Sequence, residues 1–331
     1  MRFVSSYLCL SVFICGSLFL TGCGRDPDSL TIYTSVDQPV AEPILKAFEQ
    51  KTGIKVIARY DTEANKSVGL AERLRAEKDH PQCDVWWGNE IFLTINLATD
   101  GVLASYDSQS AADIPAKFKD AQHRWAASGM RVRVLAIPAI IDGLEPPRNL
   151  EDLAKRIYKN QIAMARPVSG TTTGHVAALY TIWGEAKADT FFKDLRANNI
   201  KLVGGNSMVV EGLKSGQFLA GLTDNDDAEA AGFTINGQLP DQQPSGLGTL
   251  AIPCTVAQVA GSPHADAAHK LIDYLLSKEV EQQLIAAKFV KFSVRAGPGE
   301  IRTMDVDYAK AAAILPQVTR RATAILEGRE N

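Results

Sequence analysis

The chain has 331 residues, 46% of them hydrophobic and 22% charged, with a formal net charge of −3 at pH 7. That balance is the one expected of a globular protein with room for two ordinary lobes. The near-neutral charge, without a Lys/Arg cluster or aromatic and basic residues interleaved, excludes the electrostatic footprint of a nucleic-acid binder.

At the start, Arg2, an apolar run from Tyr7 to Leu20 and the small residues before Cys23 make the three parts of a secretory signal, too short to span a bilayer. Leu20-Thr21-Gly22-Cys23 resembles the bacterial lipobox, which predicts a signal peptide over 1–22, acylation of Cys23 and an anchor in the cell envelope, on its periplasmic side or outer face. Arg25, Asp26, Pro27 and Asp28 follow as a polar tether over 23–29. Of five cysteines, Cys9 and Cys15 leave with the signal and Cys23 is the lipid site. Only Cys83 and Cys254 remain, too few for a zinc-type spacing; a bond between them and two buried thiols both stay open.

Leu30 to Tyr33 reads as a strand, Val40, Ile44, Leu45 and Phe48 share a helical face ended by Gly53, and Ile54 to Ile57 resumes as strand. A polar helix follows around Leu70 to Glu77, then a buried strand over Cys83 to Trp87 and a helix over Ile91 to Leu97. Helices alternating with strands predict an α/β fold with an open parallel sheet, whose ligands sit beyond the carboxyl ends of the strands. That places Thr34 to Gln38 and Gly88 to Glu90 on one rim. Met130 to Ile137 alternates as a strand, and the turn Leu144-Glu145-Pro146-Pro147 introduces a second α/β region. There Ile162 to Arg166, Lys201 to Val203 and Phe218 to Leu222 read as strands, with a helix over Val176 to Trp183. Thr249 to Ile252 is expected to return to the first lobe, followed by an amphipathic helix over Ala267 to Leu276. The expected division is 30–129 plus 252–305 for one lobe and 130–251 plus 306–331 for the other, hinged by the two crossings.

Read in this order, the segments Ile32-Tyr33-Thr34-Ser35, Ala47 to Val56, Cys83 to Trp87, Ser128 to Arg133, Val168 to Thr171, Gly205-Asn206-Ser207 and Gly246-Leu247-Gly248 resemble the ferric-binding-protein-like solute-binding proteins of ABC importers. The resemblance covers nearly all of the mature chain. It implies a two-lobed, type II-like periplasmic-binding-protein fold, monomeric and non-enzymatic, that closes on its ligand and delivers it to an ABC transporter permease. Position by position, the histidine that iron binders carry after the first strand falls on Asp37. Their glutamate after the Asp-Val-aromatic strand falls on Asn89, with Glu90 adjacent, and their tyrosine pair falls on Asp226 and Asp227. Their anion pocket falls on Ser169, Gly170 and Thr171, with Asn206 and Asn225 across the cleft. The scaffold is kept while the iron ligands change.

The residues themselves point the same way. Asp226 and Asp227, held close, repel by roughly 4 kcal/mol at ~4 Å and an effective dielectric of about 20, so a cation is expected to join them. Asp224 reads as a helix cap, and Asp37 before Gln38-Pro39 as either a cap or a ligand. Ser169 to Gly174, with Thr171 and Thr172 ahead of a helix, suits an oxyanion. On a flat strand at most one of Arg131 and Arg133 is expected to face the cleft, leaving the other in solvent. Trp86 and Trp87 point to opposite sheet faces, one in the core and the other available to stack on a cation, and His175 reads as structural.

The leading expectation is a receptor for a hard cation, iron(III) or another, held by oxygens of Asp37, Asn89, Glu90, Asp226 and Asp227 with phosphate or carbonate as companion and no catalytic cofactor. A second has the same receptor carry a zwitterion such as an amine-bearing phosphonate or phosphate ester. A third, a secreted hydrolase built on the acidic pair, lacks Gly-x-Ser-x-Gly, His-Glu-x-x-His and a recognisable catalytic cysteine.

Overall fold

The computed structural model describes residues 29–61, 68–141 and 145–329. The signal and Cys23 lie outside the described residues. In chain order the elements are β1 (Ser29–Thr34), α1 (Gln38–Thr52), β2 (Lys55–Tyr60), α2 (Val68–Ala76), β3 (Val85–Gly88), α3 (Ile91–Thr99), β4 (Leu103–Ala104) and β5 (Ala126–Pro138). They continue as β6 (Ile162–Ala165), α4 (Gly170–Trp183), α5 (Glu185–Ala197), β7 (Lys201–Val203), α6 (Asn206–Lys214), β8 (Ala220–Asp224), α7 (Asn225–Ala230) and β9 (Ile235–Gln238). The last are β10 (Ala251–Val259), α8 (Ala265–Leu275), α9 (Lys278–Ala286) and α10 (Tyr308–Glu327).

The strands join in one path, β2-β1-β3-β10-β5-β8-β6-β7, with β4 beside β10 and β9 beside β5. β1 to β3 and β6 to β8 pair in parallel as the βαβ pattern requires, while β5 and β10 run antiparallel to their neighbours. β5 is the element that makes two lobes from one sheet. Its residues from Ala126 to Val132 pair with β10, and those from Arg133 onward pair with β8 and β9. The crossing therefore falls between Val132 and Arg133, within the Arg131-Val132-Arg133 segment that carries the two buried arginines of the site.

Two apolar cores lie on the two faces of this sheet. Trp86 belongs to the one built by α3, α4, α5 and α10, and Trp87 to the one built by α1, α8 and α9, both with no exposed surface. Neither indole is free to stack on a ligand, because adjacent strand residues point to opposite faces and here both faces are covered. Cys83 and Cys254 are both buried and free. β10 differs most from its sequence expectation: it begins at Ala251 and runs to Val259, with every residue buried. A strand covered on both faces loses the alternation that reveals strands in sequence. The helices α5, α6, α9 and α10 were not read from the sequence.

Candidate functional site

The site forms where β5, β8 and the starts of α4 and α6 meet, facing the loops after β1 and β3. Gly170 opens α4 with φ +62°, in the left-handed region that glycine occupies without strain, so the chain turns sharply at Ser169 and sends its first helical N–H groups toward the cleft. Four residues on, a Cβ at Gly174 would stand 2.3 Å from the Phe92 ring. This close approach brings α4 against α3 across the molecule.

At the centre is Asp224, buried to 1% at the end of β8. Its carboxylate accepts from Arg133 Nη1 at 2.8 Å, Thr171 Oγ1 at 2.6 Å and Asn206 Nδ2 at 2.9 Å, and pairs with Arg131 Nη2 at 2.9 Å. Arg131 Nη2 also donates to both oxygens of Asp226 at 2.6 Å. Burial works against charge on Asp224, but Arg131, Arg133 and the Thr171 hydroxyl together hold its carboxyl below the ordinary value. At Asp226 burial wins and lifts the carboxyl, with Asp224 reinforcing it and Arg131 opposing.

The expectation that one of the two arginines lies in solvent is corrected here. Arg131 and Arg133 are two apart, which on a strand puts them on the same face, and both are buried and both reach Asp224. The reading of Asp224 as only a cap is corrected as well: it stands at the N-cap position of α7, but its side chain makes no cap bond and is spent on the arginines. The arginines still have donors to spare. Nε and Nη1 of Arg131, and Nε and Nη2 of Arg133, are buried without a hydrogen-bond partner. The Arg131 guanidinium lies 5.0 Å from the Phe289 ring centroid, which holds it in place.

Beside this network is a cavity of about 20 Å³, room for roughly one water-sized group. Ser169, Gly170, Thr171, Thr172, Asn206, Arg131, Asn89 and Asp227 line it together with Asp224. The structure thus brings most of the expected set together. Asp227 accepts from Thr223 Oγ1 at 3.3 Å, and carboxylate oxygens of Asp224, Asp226 and Asp227 lie within 4.8 Å of one another. Asp37 is half-buried with no side-chain cap bond, and its charge reaches Asp226.

Two expected ligands are placed elsewhere. Glu90 is the N-cap of α3, accepting from Phe92 N at 2.7 Å and Leu93 N at 3.1 Å, and burial pushes its carboxyl up to about 7. Asn225 accepts from Val132 N at 2.8 Å and donates to Lys288 O at 3.2 Å, tying β5 to the turn after α9 and not lining the cavity. His175 is buried, with burial and then Arg133 driving its imidazole down to about 3, in keeping with a structural role. Sequence reasoning missed Arg133 and Asp224 as site residues. The signal that could have found them is the i, i+2 arginine pair on a strand flanked by apolar residues, which demands a buried acid.

The profile of the bacterial extracellular solute-binding protein family matches residues 30–289. The chain belongs to that family. The major ferric iron-binding protein of Neisseria meningitidis serogroup B is 25% identical over 307 residues, covering 90% of this chain and 89% of that protein. A putative 2-aminoethylphosphonate-binding periplasmic protein of Salmonella typhimurium is 26% identical over 247 residues, 72% of this chain and 69% of that one. Among solved structures, iron-bound HitA from Pseudomonas aeruginosa superposes with a TM-score of 0.78 at 22% identity, covering 89% of this chain and 99% of HitA. The fold is therefore the two-lobed one of periplasmic binding proteins. This solute-binding protein is a non-enzymatic component of an ABC importer of the ferric-binding-protein type, a class whose members deliver ligands to a membrane permease.

Proposed function

We propose that this solute-binding protein takes a small solute carrying a phosphate- or phosphonate-type oxyanion and one positive centre. The observation that carries the reading is the pair of buried, unpartnered nitrogens on Arg131, a residue that lines the cavity at the N-terminus of α4. Leaving such donors unpaired in the interior is costly, and an oxyanion held by Ser169, Gly170, Thr171, Thr172 and Asn206 is the partner that suits both a guanidinium and a helix N-terminus. The positive centre belongs with Asp227. Asp224 and Asp226 pair with the guanidiniums of Arg131 and Arg133, and Asp227 lines the cavity beside them. The cavity at this closure is smaller than such a solute, so the lobes part to admit it and close over it.

A second reading, iron(III) or another hard cation with phosphate or carbonate, is favoured by the clustering of the three aspartates within 4.8 Å. Calorimetry separates the two. Saturable binding of 2-aminoethylphosphonate in excess chelator, lost in Thr171→Val, is the expected result. Binding of iron(III) with phosphate, and none of the phosphonate, would overturn the first reading and favour the second.

The rest of the assignment rests on sequence: a signal over 1–22, a lipid on Cys23 holding a monomer at the envelope membrane, a tether over 23–29, and lobes of 30–129 plus 252–305 and 130–251 plus 306–331. Mass spectrometry of protein extracted from membranes tests the anchor, with a diacylated or triacylated Cys23 as the expected N-terminus.

A further inference from the structure

Apart from the cleft, a groove of about 650 Å³ opens between α2 and α3 on one side and α10 on the other. This is the size range of small-molecule pockets, unlike the cavity beside Asp224. Its inner edge is fixed by a defect in α10. Pro316 has no N–H to offer the carbonyl four residues back, that of Ala312. Asn96 Nδ2 of α3 donates to that carbonyl at 3.1 Å instead. The two helices are thereby held at a set spacing with the groove beside the join.

The polar groups around the groove are already used. Thr319 Oγ1 donates to Leu315 O at 2.7 Å, Thr323 Oγ1 to Thr319 O at 2.7 Å, and Thr173 Oγ1 to Gly170 O at 2.7 Å. Hydroxyls bonded back to their own helices present methyl groups to the groove, next to Val68, Leu93 and Leu315. Val168, 54% exposed, continues this apolar lining toward solvent. Of the cations on the rim, Arg75 is held by Glu72 at 2.6 Å and Asp100 at 2.7 Å, and Arg329 is held by Glu327. Arg320, exposed on α10, has no ion-pair partner among the described residues.

We propose that this groove is a second binding site, for a small amphiphile with an apolar body and one anionic head, the body lying between α3 and α10 and the head on Arg320. An apolar lining with one uncommitted cation at its edge sets both halves of that chemistry. Because the walls come from α2 and α3 on one side and from α10 and the loop before α4 on the other, an occupant would hold elements that pack on different parts of the sheet.

The test uses the full mature chain and three probes of equal length: decanoate, decanol and decylamine. Decanoate is expected to bind saturably at one site by calorimetry, more tightly than decanol and much more tightly than decylamine. Arg320→Ala should weaken decanoate by about tenfold, the loss of one charge-assisted contact, and leave decanol unchanged, while Arg320→Lys restores most of the loss. Ala324→Trp, which fills the groove, should abolish both; its thermal unfolding reports that the chain still folds. Decanoate binding that does not saturate, survives both Arg320→Ala and Ala324→Trp, or is matched by decylamine would overturn the proposal. So would displacement of decanoate by inorganic phosphate, which would place it in the cleft.

Discussion

On the side of the cleft formed by β1 and β3, polar side chains are spent on holding their own loops. Ser35 Oγ donates to Asn89 Oδ1 at 3.1 Å and accepts from Asn89 N at 2.9 Å, Thr34 Oγ1 donates to Trp87 O, and Glu90 caps α3. On the facing side Thr171, Asn206, Asp224, Arg131 and Arg133 bond to one another, and charged donors are left over. The first wall is nearly complete in itself and contributes shape. The second is an assembled charge network with buried donors to spare, and the proposed recognition chemistry is concentrated there.

The contrast breaks most visibly at Asp224. Asp224→Ala leaves two buried guanidiniums without their shared anion, and a loss of about 3–5 kcal/mol in urea unfolding is expected; a loss no larger than that of a surface aspartate would mean the network is not the keystone of its wall. Next is Glu90, on the quieter wall. Burial places its folded-state carboxyl near 7 against an ordinary 4.5, so the native protein keeps a proton that the unfolded chain releases between those values. Its contribution to stability therefore falls as pH rises through that window, by about 3 kcal/mol, and is flat above it. Unfolding curves at about pH 5 and about pH 7 should show Glu90→Gln removing that part of the slope. Thr171→Val removes a donor to Asp224 and an acceptor for Arg133 and Asn206, which should cost about 2 kcal/mol in stability along with solute binding. Smallest is Ser35→Ala, at about 1 kcal/mol, with solute affinity nearly unchanged; a larger loss of affinity than in Thr171→Val would reverse the assignment of the two walls.

Much of the fold could be read from residues alone. The first βαβ unit carries a helical face and a glycine stop that local physics interprets without tertiary help, and α1 ends where Gly53 takes φ +75°. β10 could not be read this way, since both its faces are covered, nor could α10, whose apolar positions serve three neighbours, α3, α4 and α5. In the site, the hydroxyl loop at Ser169 to Thr172 was legible because its composition and its place before a helix state its chemistry. The aspartates were legible as a charge cluster but not as partners of arginines some 90 residues away in sequence. Glu90 and Asn225 looked like ligands by position, yet each meets a backbone need that only the folded chain reveals.

β10 lies between β3 and β5 although it is the last strand of the chain. A ribosome delivers β1 to β5 long before the piece that joins β3 to β5 arrives, so the N-terminal half-sheet stays split until residue 259 has emerged. The half made of β6, β7 and β8 comes from one continuous stretch and is free of that wait. Assembly in that order, with long-range pairing last, is intrinsically slow, and it leaves the facing edges of β3 and β5 open to other pairings until β10 takes its place between them.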